Sequence, residues 1–200
     1  MIKSPLNYTG GKFKLLPQLL PLFPAKVGTF VDLFCGGANV GVNLNADKVI
    51  CYDRIPQLID LYCNLSERTS EQVISVIDGI VNKYDLSKEN REGYLQLRDY
   101  YNENKDWGSF LALIFHAFNH QIRFNRSGEY NMPFGKGKSS FNPRLRSNLK
   151  AFVDRLQEID ITFHCRDFRE AELDELTEDD FVYVDPPYLL TCASYNEQGG

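Results

Sequence analysis

Several features that would assign a chain to a special class of protein are missing from this sequence. It has no run of 18 apolar residues and no signal peptide, so we expect a cytoplasmic chain without a membrane segment. The five cysteines include no C-x-x-C pair, which argues against a zinc site or a redox motif, and we interpret them as reduced packing residues. With 43% hydrophobic and 24% charged residues, the 200-residue chain can form one domain with a small embedded module.

An overall excess of positive charge is missing too, and the formal net charge of -5 is unfavourable for a nucleic-acid partner. The charge is unevenly distributed, however. Residues 121–150 include seven basic residues and one acidic residue, Glu129, so this segment carries +6 and the rest of the chain -11. Such a segment is typical either of a solvated surface or of a nucleic-acid contact. Its basic residues are Arg123, Arg126, Lys136, Lys138, Arg144, Arg146 and Lys150.

The hydrophobic pattern predicts strands that alternate with helices at both ends of the chain. The glycines that follow the first apolar run are typical of a turn and the start of a helix, which gives a β-α-β unit at the beginning. Pro17 and Pro21 weaken the prediction of an early helix over residues 13–23. Strands are expected over 29–34, 49–53, 161–165 and 181–184, and a further helix over 55–65.

The middle of the chain has a different pattern. Apolar residues recur at helical spacing, and we expect three helices between residues 70 and 119. Residues 122–125 and 129–132 then resemble the limbs of a β-hairpin around a glycine turn. Asn142 and Pro143 form an N-cap and N1 pair at the start of another helix. We therefore predict a catalytic domain formed by 1–65 and 142–200 and an insertion over 66–141.

Parallel strands joined by helices predict a doubly wound, Rossmann-like α/β sheet, whose ligands bind at the carboxyl ends of the strands. Four candidate segments fall at such ends: residues 34–37, Asp53, Asp167 and Asp185. The turn at 34–37 matches neither the G-x-G-x-x-G pattern nor a phosphate loop. Its glycines would admit a ligand close to the backbone, and Asp53 could accept hydrogen bonds from ribose hydroxyls. An adenosyl ligand is the functional interpretation, and a plain tight turn is the alternative.

The tetrad Asp185-Pro186-Pro187-Tyr188 is more specific. Two prolines fix φ and remove two backbone donors, which leaves the Asp185 carboxylate and nearby carbonyls as hydrogen-bond acceptors. If the carboxylate and the Pro186 carbonyl accept both hydrogens of a purine amino group, the nitrogen lone pair is favoured as a nucleophile. Tyr188 offers a face on which the base could stack. The alternative is a strand-ending proline turn with a packed tyrosine.

Four sequence blocks together resemble one family. They are Asn7-Tyr8-Thr9-Gly10-Gly11-Lys12, Phe30-Val31-Asp32-Leu33-Phe34-Cys35-Gly36-Gly37, the hairpin segment with Arg123-Phe124-Asn125 and Gly128-Glu129-Tyr130-Asn131-Met132-Pro133-Phe134-Gly135, and Asp185-Pro186-Pro187-Tyr188. In this order they resemble Dam-type, D12 class DNA adenine N6-methyltransferases, the phage members especially. The resemblance spans nearly the whole chain.

The resemblance implies S-adenosylmethionine as the cofactor and assigns residues to it. Tyr8 and Lys12 would help to hold the molecule, with Lys12 near its carboxylate, and Asp53 would bind its ribose. Asp167 and Phe168 would border its adenine. The remaining members of this predicted cofactor site are Asp32, Phe34, Gly36, Gly37 and Asp185. The sulfonium methyl group is already activated, so no metal ion is expected.

The same resemblance implies double-stranded DNA as the partner, with base flipping and direct methyl transfer. The hairpin and the helices before it would form the target-recognition module, and GATC is the predicted target. Arg123 and Arg126 are the first candidates for phosphate or guanine contacts. The other predicted DNA-binding residues are Asn125, Lys136, Lys138 and Arg144.

The chain ends fifteen residues after Asp185, whereas members of this family continue further. We therefore expect a truncated product whose sheet is incomplete at its C-terminal end, and which associates with another copy or with a complementing chain. A truncated, non-catalytic DNA- or cofactor-binding remnant is one alternative function. Another is a methyltransferase acting on RNA or on protein glutamine. Such enzymes usually have Asn in place of Asp185, and they do not need the basic hairpin.

Overall fold

The computed structural model describes residues 1–187 and is built around one parallel sheet. Its strands lie in the order β3-β2-β1-β4, and all three neighbouring pairs are parallel. The first four strands of a doubly wound nucleotide-binding sheet have this order. The predicted α/β class with a parallel sheet is therefore confirmed. The strands are β1 (Thr29–Asp32), β2 (Lys48–Asp53), β3 (Ile161–Cys165) and β4 (Phe181–Tyr183).

Six α-helices accompany the sheet in the described part of the chain. Four of them begin after residues whose side chains accept a hydrogen bond from the backbone N–H three positions later: Thr69, Asn90, Asp106 and Asn142. Such N-caps satisfy donors that the first helical turn leaves unpaired. The helices are α1 (Leu16–Leu19), α2 (Pro56–Ser66), α3 (Ser70–Lys83), α4 (Arg91–Asn104), α5 (Trp107–His116) and α6 (Pro143–Glu158).

The two faces of the sheet are covered differently. Alternate residues of β1 point to opposite faces, so Phe30 joins the large core formed with the helices while Val31 joins a small second cluster. Within residues 1–187 that second face is covered by the segment around Ala171, Leu173 and Leu176, which is not helical. The doubly wound arrangement is therefore half formed in the described residues, with helices packed on one face.

Two predicted helices differ from the structure. Residues 13–23 form α1 flanked by short 3-10 turns instead of one helix, because each proline removes a donor and disturbs the preceding turn. The glycine turn after β1 does not start an α-helix. Gly36 and Ala38 have positive φ values, and the connection to β2 contains only a 3-10 turn at Gly41–Asn43. The first two strands are thus joined without a helix.

The predicted insertion, residues 66–141, shares the main hydrophobic core. The three helices expected there are present as α3, α4 and α5, and α3 packs against α6, α5 against α2, and α4 against α5. In place of the expected hairpin strands, the structure has one antiparallel bridge between Phe124 and Tyr130. The boundaries of a separate recognition module stay a prediction.

In residues 1–187, no helix has the length and apolar character needed to cross a membrane.

Candidate functional site

A cavity of about 750 Å³ opens at the carboxyl ends of the strands, where a sheet of this type is expected to bind ligands. Its walls come from the N-terminal segment, the turn after β1, the ends of β2, β3 and β4, and the hairpin. The structure therefore brings segments that are far apart in sequence to one place. The predicted residues that line it are Tyr8, Lys12, Asp32, Phe34, Gly36, Gly37, Asp53, Arg123, Asp167, Phe168, Asp185, Pro186 and Pro187.

The glycine turn after β1 is held by hydrogen bonds on both sides of Gly36. The Gly36 N–H donates to Asp53 Oδ2 at 3.1 Å, and the Gly36 carbonyl accepts from the buried Tyr62 hydroxyl at 2.7 Å. Gly36 has φ +45°, and a Cβ atom there would lie 2.8 Å from the Tyr8 ring. Only glycine fits this position without strain. Sequence reasoning missed Tyr62, since nothing in the sequence links α2 to this turn.

Burial changes the acidity of two carboxylates in the cavity wall. Asp32 is 1% exposed, and this burial raises its pKa to about 7, with Asp185 and Asp53 adding repulsion and Lys12 opposing it. Burial also raises the pKa of Asp53, although backbone N–H donors from Ile55 and Gly36 partly stabilise its charge. Among residues 1–187, no three His, Cys, Asp or Glu side chains are grouped to hold a metal ion.

Lys12 and Asp185 form an ion pair in the cavity. Their side chains are 15% and 19% exposed, so the pair is largely shielded from water. The Lys12 ammonium also donates to the Gly10 carbonyl at 3.1 Å. Sequence reasoning placed both residues in the site but did not foresee this contact, which joins the N-terminal segment to the end of β4. Tyr188, the last residue of the predicted tetrad, lies outside the described residues.

Beyond β3, an aromatic pair lies at the mouth of the cavity. The Phe34 and Phe168 rings have centroids 5.4 Å apart, and Phe168 is 48% exposed. Asp167 beside them binds the Arg169 side chain at 2.7 Å, and this hydrogen bond lowers the pKa of Asp167 to about 2. Arg166, which sequence reasoning missed, also lines the cavity. A flat, partly apolar ligand would fit between such groups.

The hairpin uses two of its predicted DNA-binding residues for its own structure. Arg123 donates to the Asn131 side chain at 2.8 Å and to its carbonyl at 2.7 Å. The Asn125 side chain accepts from the backbone N–H groups of Ser127 and Glu129. Arg126 is exposed at the tip of the turn. Arg123 thus lies in the cavity wall, whereas Arg126 lies outside it.

The remaining basic residues of the 121–150 segment fall into two groups. Arg146 forms a two-pronged ion pair with Asp78, and Lys150 binds Glu71 and Asp154, so both serve packing between helices. The predicted DNA-binding residues Lys136, Lys138 and Arg144 are exposed and lie outside the cavity wall. Their roles stay predictions.

Comparison with known proteins identifies the family of the chain. A family model described as D12 class N6 adenine-specific DNA methyltransferase matches residues 8–199. The chain belongs to this family. The resemblance drawn from the four sequence blocks is therefore confirmed, since the matched region contains Lys12, the glycine turn, the hairpin and Asp185.

Three relatives illustrate the range of similar proteins. Type II methyltransferase M.FokI of Planomicrobium okeanokoites is 46% identical over 196 residues, and Modification methylase StsI of Streptococcus sanguinis is 43% identical over 196 residues. Each alignment covers 98% of this chain but 30% of the relative. DNA adenine methylase of Escherichia coli (strain K12) is 30% identical over 197 residues, covering 96% of this chain and 66% of that protein. The chain thus corresponds to a part of longer proteins.

Proposed function

We propose that this chain transfers a methyl group from S-adenosylmethionine to N6 of adenine in double-stranded DNA. The observation that carries the proposal is the position of Asp185. In a chain of the D12 class, it follows β4 and shares one cavity with the glycine turn, Asp53 and the hairpin residue Arg123. This arrangement would bring a methyl donor and a flipped base together.

The wall of the cavity fits S-adenosylmethionine. Gly36 and Gly37 line the cavity without side chains of their own, and the Asp53 carboxylate at the end of β2 suits ribose hydroxyls. Phe34, Phe168 and Asp167 would border the adenine, and Tyr8 would cover the other end. When bound, the sulfonium supplies an activated methyl group, so the protein needs neither a metal nor a covalent nucleophile.

Asp185 and the Pro186 carbonyl would act on the target base. As acceptors for the two N6 hydrogens, they would hold the amino group with its lone pair directed at the methyl carbon. The bound donor would supply the methyl group and leave as a neutral thioether, and the Asp185 carboxylate, which accepts one N6 hydrogen, would receive the proton that N6 loses. Lys12 would hold the Asp185 carboxylate in place until the base arrives, because the two side chains form an ion pair.

The hairpin would contact DNA on the side of the cavity where the base enters. Arg123, fixed by Asn131, is suited to a contact of defined geometry, and exposed Arg126 is suited to a phosphate. Asn125 would act through the shape of the turn, and Lys136, Lys138 and Arg144 through added positive charge. GATC is the target suggested by Dam-type enzymes. The chain is more similar to the relatives named as type II methyltransferase and modification methylase than to the DNA adenine methylase of Escherichia coli, and this favours a restriction-modification role.

The test is methylation of DNA in cells that express this chain. Long-read sequencing would locate N6-methyladenine without assuming a target, and digestion with enzymes that distinguish methylated GATC would test that sequence directly. We expect one methylated motif in the wild type and none in Asp185→Ala. Soluble protein that binds S-adenosylmethionine but leaves all DNA unmethylated would support a non-catalytic, cofactor-binding function instead.

Two further assays address the substrate class and the association of the chain. Transfer of tritiated methyl groups to duplex DNA, to RNA and to glutamine-containing peptides would separate the three substrate classes, and we expect labelling of the duplex alone. Self-association is proposed at β4, which is an edge strand among the described residues. Light scattering should then give a mass above 23.0 kDa, the mass of one chain.

A further inference from the structure

Helix α4 and the residue that follows it supply three side-chain donors to the hairpin. Lys105, just after the helix, donates to the Gly128 carbonyl at 3.3 Å. Asn102 donates to the Tyr130 carbonyl at 3.1 Å, and Tyr94 donates to the Met132 carbonyl at 2.7 Å. The Tyr130 and Met132 carbonyls are two residues apart, so they lie on the same side of the extended limb, and Gly128, with φ +74°, belongs to the turn before it. The helix therefore occupies the place of a neighbouring strand.

Asn102 both donates a hydrogen bond to the Tyr130 backbone and accepts one from it. In an antiparallel pair, opposed residues either exchange hydrogen bonds with each other or direct their N–H and C=O groups outward. Phe124 and Tyr130 are of the second kind, since the cross-limb bonds run from Asn125 to Glu129 and from Asn131 to Arg123. The outward N–H of Tyr130 donates to Asn102 Oδ1 at 2.8 Å, while Asn102 Nδ2 binds its carbonyl.

Tyr130 connects this anchor to the cavity. Its ring is 1% exposed and packs edge-on against Tyr101, Phe110 and Phe124. Its hydroxyl donates to the carbonyl of Gln121 at 3.1 Å, and Gln121 lies in the cavity wall. A displacement of Tyr130 would therefore move both the hairpin and the part of the cavity wall formed by Gln121.

We infer that Asn102 is a positioning residue for target recognition. Its side-chain amide sets the position of the hairpin limb, and through that limb it fixes the geometry of Arg123 and Arg126 against DNA. The inference rests on the proposed function for its effect on methylation, but the hydrogen-bond geometry behind it does not depend on any substrate. Asn102 does not line the cavity, so it would act through the hairpin and not on the bound base.

Two variants and one control separate positioning from general stability. Asn102→Ala removes both hydrogen bonds to Tyr130, and Asn102→Asp keeps an acceptor but loses the donor. Asn104→Ala is the matched control, because Asn104 is on the same helix and donates to the Tyr100 carbonyl at 2.8 Å, within that helix. Hydrogen exchange of the Tyr130 amide is measured first. We expect protection to fall in the order wild type, Asn102→Asp, Asn102→Ala, with the control unchanged.

The functional readout is discrimination between duplexes. On the duplex found methylated in the wild type and on versions with one base pair changed outside the target adenine, Asn102→Ala should lower the ratio of kcat/KM values about tenfold, mainly through KM for DNA. Affinity for S-adenosylmethionine should stay within about twofold of wild type. The discrimination ratio of Asn102→Asp should lie between those of the wild type and Asn102→Ala, which a purely structural role would not produce.

Several outcomes would overturn the inference. Equal exchange of the Tyr130 amide in Asn102→Ala and Asn104→Ala would do so, and so would equal discrimination between duplexes. Failure of both Asn102 variants to fold would assign the residue to the core instead. If the wild type methylates no duplex, the proposed function fails, while the exchange experiment still decides whether Asn102 positions the hairpin.

Discussion

The Tyr62 hydroxyl provides a sharp test of how the glycine turn is built. Tyr62→Phe removes one oxygen and leaves the ring in place against Phe163, whose centroid lies 4.9 Å away. Burial raises the pKa of Tyr62 well above its ordinary value, so the hydroxyl remains a donor to Gly36 at 2.7 Å at all working pH values. Without it a buried carbonyl loses its partner, which costs about 1–3 kcal/mol. For a chain of this size we expect a fall in Tm of roughly 2–4 °C per kcal/mol.

The same change should weaken binding of the methyl donor. Asp53 would hold Gly36 only through its N–H, so the turn would lose the fixed shape on which close approach of a ligand depends. Thermal unfolding and titration calorimetry with S-adenosylmethionine measure the two effects. Tyr100→Phe is the control, since Tyr100 is 37% exposed. An unchanged Tm together with unchanged donor affinity in Tyr62→Phe would refute the bracing role.

Three other predictions concern charged residues. Asp185→Asn should reduce methyl transfer by roughly 10²-fold or more, measured with tritiated donor, while the chain stays folded. The pKa of Asp32 is raised from 3.8 to about 7, so between these pH values the native state holds a proton that the unfolded chain has lost, and the free energy of unfolding falls as pH rises. Urea unfolding of Asp32→Asn should show a shallower fall with pH. Part of the fall should remain, because the pKa of Asp53 is also raised. Arg126→Ala should leave Tm unchanged and lower the salt slope of DNA binding by about 1, and an unchanged slope would remove Arg126 from the interface.

Most of the fold could be predicted because its signals are local. The buried strands stand out as short apolar runs, and Asn142 with Pro143 marks the start of α6. The predictions were wrong where contacts with other segments determine the backbone conformation. The glycines after β1 are typical of a turn that starts a helix, but Gly36 and Ala38 adopt positive φ and the side chain of Asn43 binds the N-terminal segment instead.

The site could be predicted as a set of residues but not as a set of contacts. Strand ends and motifs indicated Asp32, Asp53 and Asp185, because ligands bind where parallel strands end. No local pattern could pair Lys12 with Asp185, since they lie near opposite ends of the sequence and the pairing depends on how the N-terminal segment crosses the sheet. Asn102 was missed for the same reason, because its partner Tyr130 lies on another element.

The distribution of charge in the cavity explains how a chain with net charge -5 could bind both a cation and a polyanion. The buried carboxyl of Asp32, whose pKa burial raises, and the largely shielded carboxylate of Asp185 lie in the interior of the cavity, where a positively charged donor would be favourable. Arg123 and Arg166 lie in the exposed part of the wall, where DNA phosphates would approach. The overall charge averages over these two regions. Their separation in space, which the fold creates, would allow acidic and basic residues of one cavity to serve different ligands.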